Sequence, residues 1–232
     1  MPQESEEGSF ATFMAKVAGE NEVFLKNNAK EVLKEVVELV NDAIDYLPSV
    51  VNREKADEYY LKYSAMFFFV HILMPASYGV YANLILGNLP VCFIELRLIL
   101  ESLAKCYVAD LCPERELFFE TKLMTLEEIM REKEISTSDL LKDFGEITGL
   151  PDKPLKLWGK LSEGWVHTRG IVQKIINHIE EKSDLPPYAL PIPMNYTDND
   201  VDSLNELAKR TSELRKILKA ACDKYKMEVF KE

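Results

Sequence analysis

Residues 91–111 read VCFIELRLILESLAKCYVADL. The run is long enough for six helical turns, and apolar residues occupy most of its circumference, the pattern of a helix packed on several sides. Its charges are few and placed. Arg97, Glu101 and Lys105 recur at i, i+4 and i+8, so they form one stripe on an otherwise apolar surface. Glu95 falls on a different face, among Phe93, Leu98, Ile99 and Ser102. A carboxylate in such surroundings needs a partner or the mouth of a cavity, because burying it alone is costly. Pro90 suits the first position of this helix, and Pro113 closes it.

Upstream, no Asp, Glu, Lys or Arg occurs from Tyr63 to Ile94. The spacing predicts a second long helix from Arg53 to Gly87, kinked at Pro75, where the ring removes a donor and crowds the preceding turn. The segment MFFFVHILM is apolar nearly all round, which places it centrally and makes His71 a core histidine. The run would span a bilayer by length. His71, Pro75, Ser77, Gly79, Asn83, Gly87, Asn88 and Pro90 interrupt it, so it reads as a core helix and no membrane partner is expected.

Further upstream, residues 1–20 form an acidic, partly frayed segment with a short lead-in helix at Phe10–Val17. Asn21 to Leu47 is amphipathic and stopped by Pro48. Downstream, the pattern predicts helices from Glu114 to about Glu134, from Ser136 to Ile147 with a Ser136–Asp139 cap, and from Lys153 to Leu161. Gly164 breaks the pattern, and Trp165 to Lys182 follows as another helix. Residues 183–197 hold LPPYALPIPMNY, whose four prolines exclude a regular helix and suggest an extended strap. Thr197 or Asp198 caps a last helix running to about Glu228. Its Leu204, Leu207, Thr211, Leu214, Leu218, Ala221 and Tyr225 make a heptad-like seam, for other helices or for a copy of itself. The fold class is therefore all-α: one bundle domain over residues 21–232, with four or five long helices and short connecting helices.

Composition narrows the function. With 28 Lys+Arg against 39 Asp+Glu the net charge is −11, which excludes a general nucleic-acid coat protein. Nine glycines in 232 residues speak against a Gly-rich phosphate cradle. Cys92, Cys106, Cys112 and Cys222 form no C-x-x-C pair and read as buried free thiols. The acidic N-terminus is no signal peptide, so the expected compartment is the cytoplasm. P-loop, dinucleotide, zincin and hydrolase-elbow motifs are absent. The histidines, His71, His167 and His178, are too scattered for a metal site, and no cofactor is expected. Lys209, Arg210, Arg215, Lys216, Lys219, Lys224 and Lys226 make the last helix basic, which suits its dipole.

A second polar cluster lies at residues 158–169, WGKLSEGWVHTR. Ser162 is placed to cap the turn at Gly164–Trp165. His167 stands at a predicted helix start, which favours its neutral imidazole, and Arg169 is placed to hold an anion there. Trp158 and Trp165, with Tyr78 and Tyr81, would also wall a small-ligand pocket between long helices.

A helix with R-x-x-x-E in apolar text (Arg97 to Glu101), followed some sixty residues later by Leu161-Ser162 and His167, resembles uncharacterised prokaryotic all-helical families of the domain-of-unknown-function kind. Over roughly residues 60–182 it is also distantly similar to HEPN helical bundles. That resemblance implies a bundle that dimerises. HEPN ribonucleases carry arginine four to six residues before histidine; here Lys160 and His167 come nearest, with lysine for arginine. The leading expectation is a self-associating interaction module, a homodimer that also takes a protein partner. The alternative is a metal-independent ribonuclease or nucleotide-binding protein, with RNA or nucleotide as ligand. There Arg97, Glu101 and His167 would be catalytic, His167 as acid and base and Arg97 steadying phosphate, beside binding residues Ser162, Arg169, Trp158, Trp165 and Glu95.

Overall fold

The charge-free run from Tyr63 to Ile94 folds as one arm of a helical hairpin and the first turns of the other, with a glycine turn at Gly87 between them. The computed structural model describes residues 10–50, 56–111, 118–165 and 195–228. Among these residues every regular element is helical and no strand occurs. The helices are α1 (Phe10–Asn28), α2 (Lys30–Val50), α3 (Ala56–Lys62), α4 (Ser64–Phe67), α5 (Met74–Ile85), α6 (Leu89–Asp110), α7 (Phe119–Glu132), α8 (Thr137–Ile147), α9 (Lys153–Trp165) and α10 (Val201–Glu228). A π-helical turn, Phe68–Leu73, joins α4 to α5, and a 3₁₀ turn, Asp198–Asp200, precedes α10.

Helices α2, α5, α6 and α10 form a ring in which α2 and α6 each touch both α5 and α10. Val32, Val36, Leu39 and Ala43 of α2 are buried at alternating steps of four and three, the stripe that an amphipathic helix turns to a core. On α6 burial reaches further round, through Cys92, Phe93, Leu96, Ile99, Leu100, Leu103 and Tyr107. α7, α8 and α9 also pack on it, and Ile94 and Leu98 stay exposed. The seam of α10 is consumed inside this ring. Leu204, Leu207, Thr211, Leu214, Leu218, Ala221 and Tyr225 are all buried, so that stripe offers nothing to a second copy.

Several predicted boundaries shift, each for a visible reason. The helix expected from Arg53 to Gly87 breaks at Tyr63, whose backbone is extended. The break is held by Asp110, at the far end of α6, whose two carboxylate oxygens accept the Ser64 and Ala65 amides at 2.9 Å each. These are donors a helix start leaves without a partner. In place of a simple kink, the turn before Pro75 widens into the π-helical turn, which accommodates a missing amide. α1 runs through the expected boundary at residue 20 and buries Val17, Asn21 and Leu25. The first amphipathic helix is divided at Ala29, and α2 passes Pro48 to Val50. α9 continues through Gly164.

Other local readings match. Ser136 caps α8 in a capping box with Asp139, and Thr197 with Asp200 does the same before α10. After α5 the chain turns at Gly87, φ +72°, and the Asn88 amide closes back on the Asn83 carbonyl at 2.8 Å. Of the predicted strap, only 195–197 lie among the described residues. There Tyr196 is buried and donates its hydroxyl to the Leu84 carbonyl at 2.7 Å. Cys92, Cys106 and Cys222 are free and buried; Cys112 lies outside the described residues. By length and composition, Ser64–Ile85 would suffice to cross a membrane; 44% of its most apolar window is buried in the bundle.

Candidate functional site

Leu157 and Leu161 of α9 are buried against α6, and the residue between them on the neighbouring face, Trp158, is carried over the α6 charged stripe. The Trp158 indole donates to Glu101 Oε1 at 2.5 Å, and Arg97 Nε donates to the same oxygen at 2.7 Å. The Arg97 guanidinium lies over the indole, 4.9 Å from the ring centre. Cation–π stacking and the shared carboxylate fix the plane of the guanidinium. Both side chains are about three-quarters covered, at 22% and 27% exposed. Lys105, the third member of the stripe, is drawn away to Glu127 of α7 at 3.2 Å.

Ser162 does not cap a turn: it is buried within α9, and its hydroxyl donates to the Trp158 carbonyl at 2.7 Å. His167 and Arg169, and the Trp165 side chain, lie outside the described residues. Of the trio required for a ribonuclease, Arg97 and Glu101 lie among the described residues and meet. Tyr78 is exposed, and Tyr81 is partly buried against the core.

Compared with known proteins, the chain matches no family model, no curated protein and no solved structure.

Among the described residues no group of three His, Cys, Asp or Glu is placed to hold a metal. A shallow hollow of about 340 Å³ between α1 and α2 is lined by Lys26, Lys30, Leu33, Lys34, Val37 and Glu38. Lys26 pairs with Glu22 at 2.7 Å and Lys34 with Glu31 at 3.4 Å, while Lys30 has no ion pair among the described residues.

Two features escape sequence reasoning. The first is a buried polar knot at Asp110. Besides the two amides of α4, its carboxylate accepts the Tyr225 hydroxyl at 2.6 Å and faces the Lys122 ammonium at 3.5 Å. Both members of that ion pair are fully covered. Lys122 also donates to the Lys62 carbonyl at 2.8 Å and lies over the Tyr63 ring. Burial first, and then the Asp110 carboxylate, raise the Tyr225 hydroxyl well above the usual phenol range. Nothing in the spacing of residues 62, 110, 122 and 225 announces this meeting.

The second is an outward face on the charge-free hairpin. His71, Pro75, Tyr78 and Ala82 stand in one exposed row, and Ile94 and Leu98 of α6 run beside it. Tyr78 is 51% exposed, Ile94 43% and Leu98 47%. The helix read as buried all round therefore has an exposed side; among the described residues α1, α2 and α6 pack on its others. His71 is not a core histidine. It lies on the π-helical turn, hydrogen-bonded to the Tyr60 hydroxyl, with Phe67 at 5.3 Å between ring centres. Phe67 stacks on Phe119 at 5.2 Å, so this end of the face is aromatic. The signal was present as a lack of charge over Tyr63–Ile94, but hydropathy alone does not separate a core from an exposed apolar patch.

Proposed function

We propose that the protein is a self-associating interaction module and that it docks through the α5–α6 face. One observation carries this reading: Tyr78 of α5 and Ile94 and Leu98 of α6 are exposed apolar residues on two helices packed against each other, with Glu95 against Gly79 on one side of the α6 pair and the Arg97–Glu101 ion pair on the other. Monomers rarely leave such a patch bare, and interface centres are depleted in charge and enriched in aromatic residues. The internal use of the α10 seam directs attention to this face.

Light scattering of the full chain over a concentration series tests the reading. Wild type is expected to gain mass with concentration, and Leu98→Glu to remain monomeric with unchanged circular dichroism, since Leu98 is half exposed and its loss opens no cavity. A wild type that stays monomeric throughout overturns it.

A further inference from the structure

The groups that hold the Lys122 ammonium all lie outside α7. The Lys62 carbonyl accepts from it at 2.8 Å, the Asp110 carboxylate stands 3.5 Å away, and the centre of the Tyr63 ring lies at 5.3 Å. Asp110 is itself fixed by the Ser64 and Ala65 amides and by the Tyr225 hydroxyl. A carbonyl, a carboxylate and an aromatic face around one point are the elements by which proteins recognise a primary ammonium group. With Lys122 gone, the amides and the phenol would still hold the carboxylate in place.

Lys122 fills this cage incompletely. Its ammonium stops 3.5 Å from Asp110, where a free ammonium–carboxylate contact closes to about 2.8 Å. Ser64 is wholly buried, and its hydroxyl has no hydrogen-bond partner among the described residues. Yet the Ser64 amide and the Lys122 ammonium meet at the same oxygen, Asp110 Oδ1. A buried hydroxyl left unpaired is costly, and here it is an acceptor that the tethered ammonium does not use. An ammonium free of the helix can settle deeper, onto Asp110 and Ser64 together.

α7 is also a helix that can withdraw. Lys122 alone among its residues is buried, while Leu123 and Met130 are only partly so. Its main neighbours are α4 and α6, and Phe118 at its cap and Met124 are 61% and 65% exposed. An element that buries little apolar surface opens well before the whole fold does. Lys122 regains its hydration on leaving, which offsets part of the lost ion pair.

We propose that the Asp110 cage is a binding site for an unbranched primary alkylammonium group, that α7 plugs it with Lys122, and that an external amine takes the site when Lys122 withdraws. The Lys122 side chain is covered along its whole length, so the way to the cage fits a slender stem like that of lysine. A quaternary ammonium is too wide for it and brings no N–H to the carbonyl and the carboxylate. The proposal is independent of the self-association reading.

Thermal unfolding of the full chain in about 50 mM n-butylammonium chloride tests it, on wild type and on Lys122→Ala, which removes stem and ammonium together. n-Butanol supplies the stem without the charge, and tetramethylammonium chloride the charge without the N–H donors. Butylammonium is expected to raise the Tm of Lys122→Ala by about 3 °C or more, and to leave wild type, whose cage is filled, where it was. Neither control should reproduce the rise. A variant that responds no more than wild type, or equally to butanol, overturns the proposal. Should Lys122→Ala not fold, Lys122→Met, which keeps most of the stem, is read in the same way with methylammonium against methanol.

Discussion

Lys122 shows how a single side chain can be misread. In sequence it sits in a helix with charge on one side, where lysine is ordinarily solvated. In the structure its side chain is fully covered and completes the Asp110 knot. Removing the ammonium leaves a buried carboxylate held by two amides and a phenol, with no counter-charge. Lys122→Met is expected to cost about 3 kcal/mol, read as a lowered denaturation midpoint at unchanged slope. A loss under 1 kcal/mol would mean that the hydrogen bonds alone suffice. Arg97 and Glu101 were legible beforehand because a four-residue step on one helix fixes their proximity. Trp158, which completes that cluster, belongs to another helix 57 residues on, and no local rule predicts which side chain a crossing helix delivers.

Between elements, the firmest polar junction joins α2 to α10. Arg215 donates from Nε to Asp42 at 2.6 Å and from its terminal nitrogens to Glu35 at 2.9 Å and Glu38 at 3.4 Å. Burial opposes its charge, but the hydrogen bonds and fields of Asp42 and Glu35 outweigh that and hold the guanidinium above its ordinary range. One planar fork thus spans two turns of the opposing helix. Arg215→Met is expected to lose about 2 kcal/mol, and Arg215→Lys to recover less than half of that, because an ammonium cannot reach three carboxylates set along a helix. Equal recovery by lysine, in urea titrations of the two variants, would reduce the junction to simple charge. Element types were largely readable from apolar periodicity and caps, as α8 with its Ser136–Asp139 box illustrates. Element breaks were not: the helix breaks at Tyr63, where Asp110 arrives to take the Ala65 amide from 45 residues away, a tertiary cause with no local trace.

At the scale of the molecule, the all-α ring was legible because every long segment carries a helical period and none a strand period. Which faces the ring would leave bare was not, since that depends on how many neighbours each helix finds. The same packing seals the thiols. Burial pushes Cys106 and Cys222 up to about 12, and Cys92 higher still. In a Cys112→Ser background, a chromogenic disulfide reagent at pH 8 is expected to titrate no thiol in the native protein and three after denaturant; fast native labelling would show that the core opens. The Asp110 knot has a consequence for synthesis. It gathers backbone or side chain from positions 62, 64, 65, 110, 122 and 225, so a nascent chain that has passed the ribosome tunnel only as far as α9 holds an acid and a base in its interior without the phenol that completes their cage. Translation must run past Tyr225, 115 residues beyond Asp110, before this part of the bundle can lock, and a polypeptide stalled earlier would remain open to proteases there.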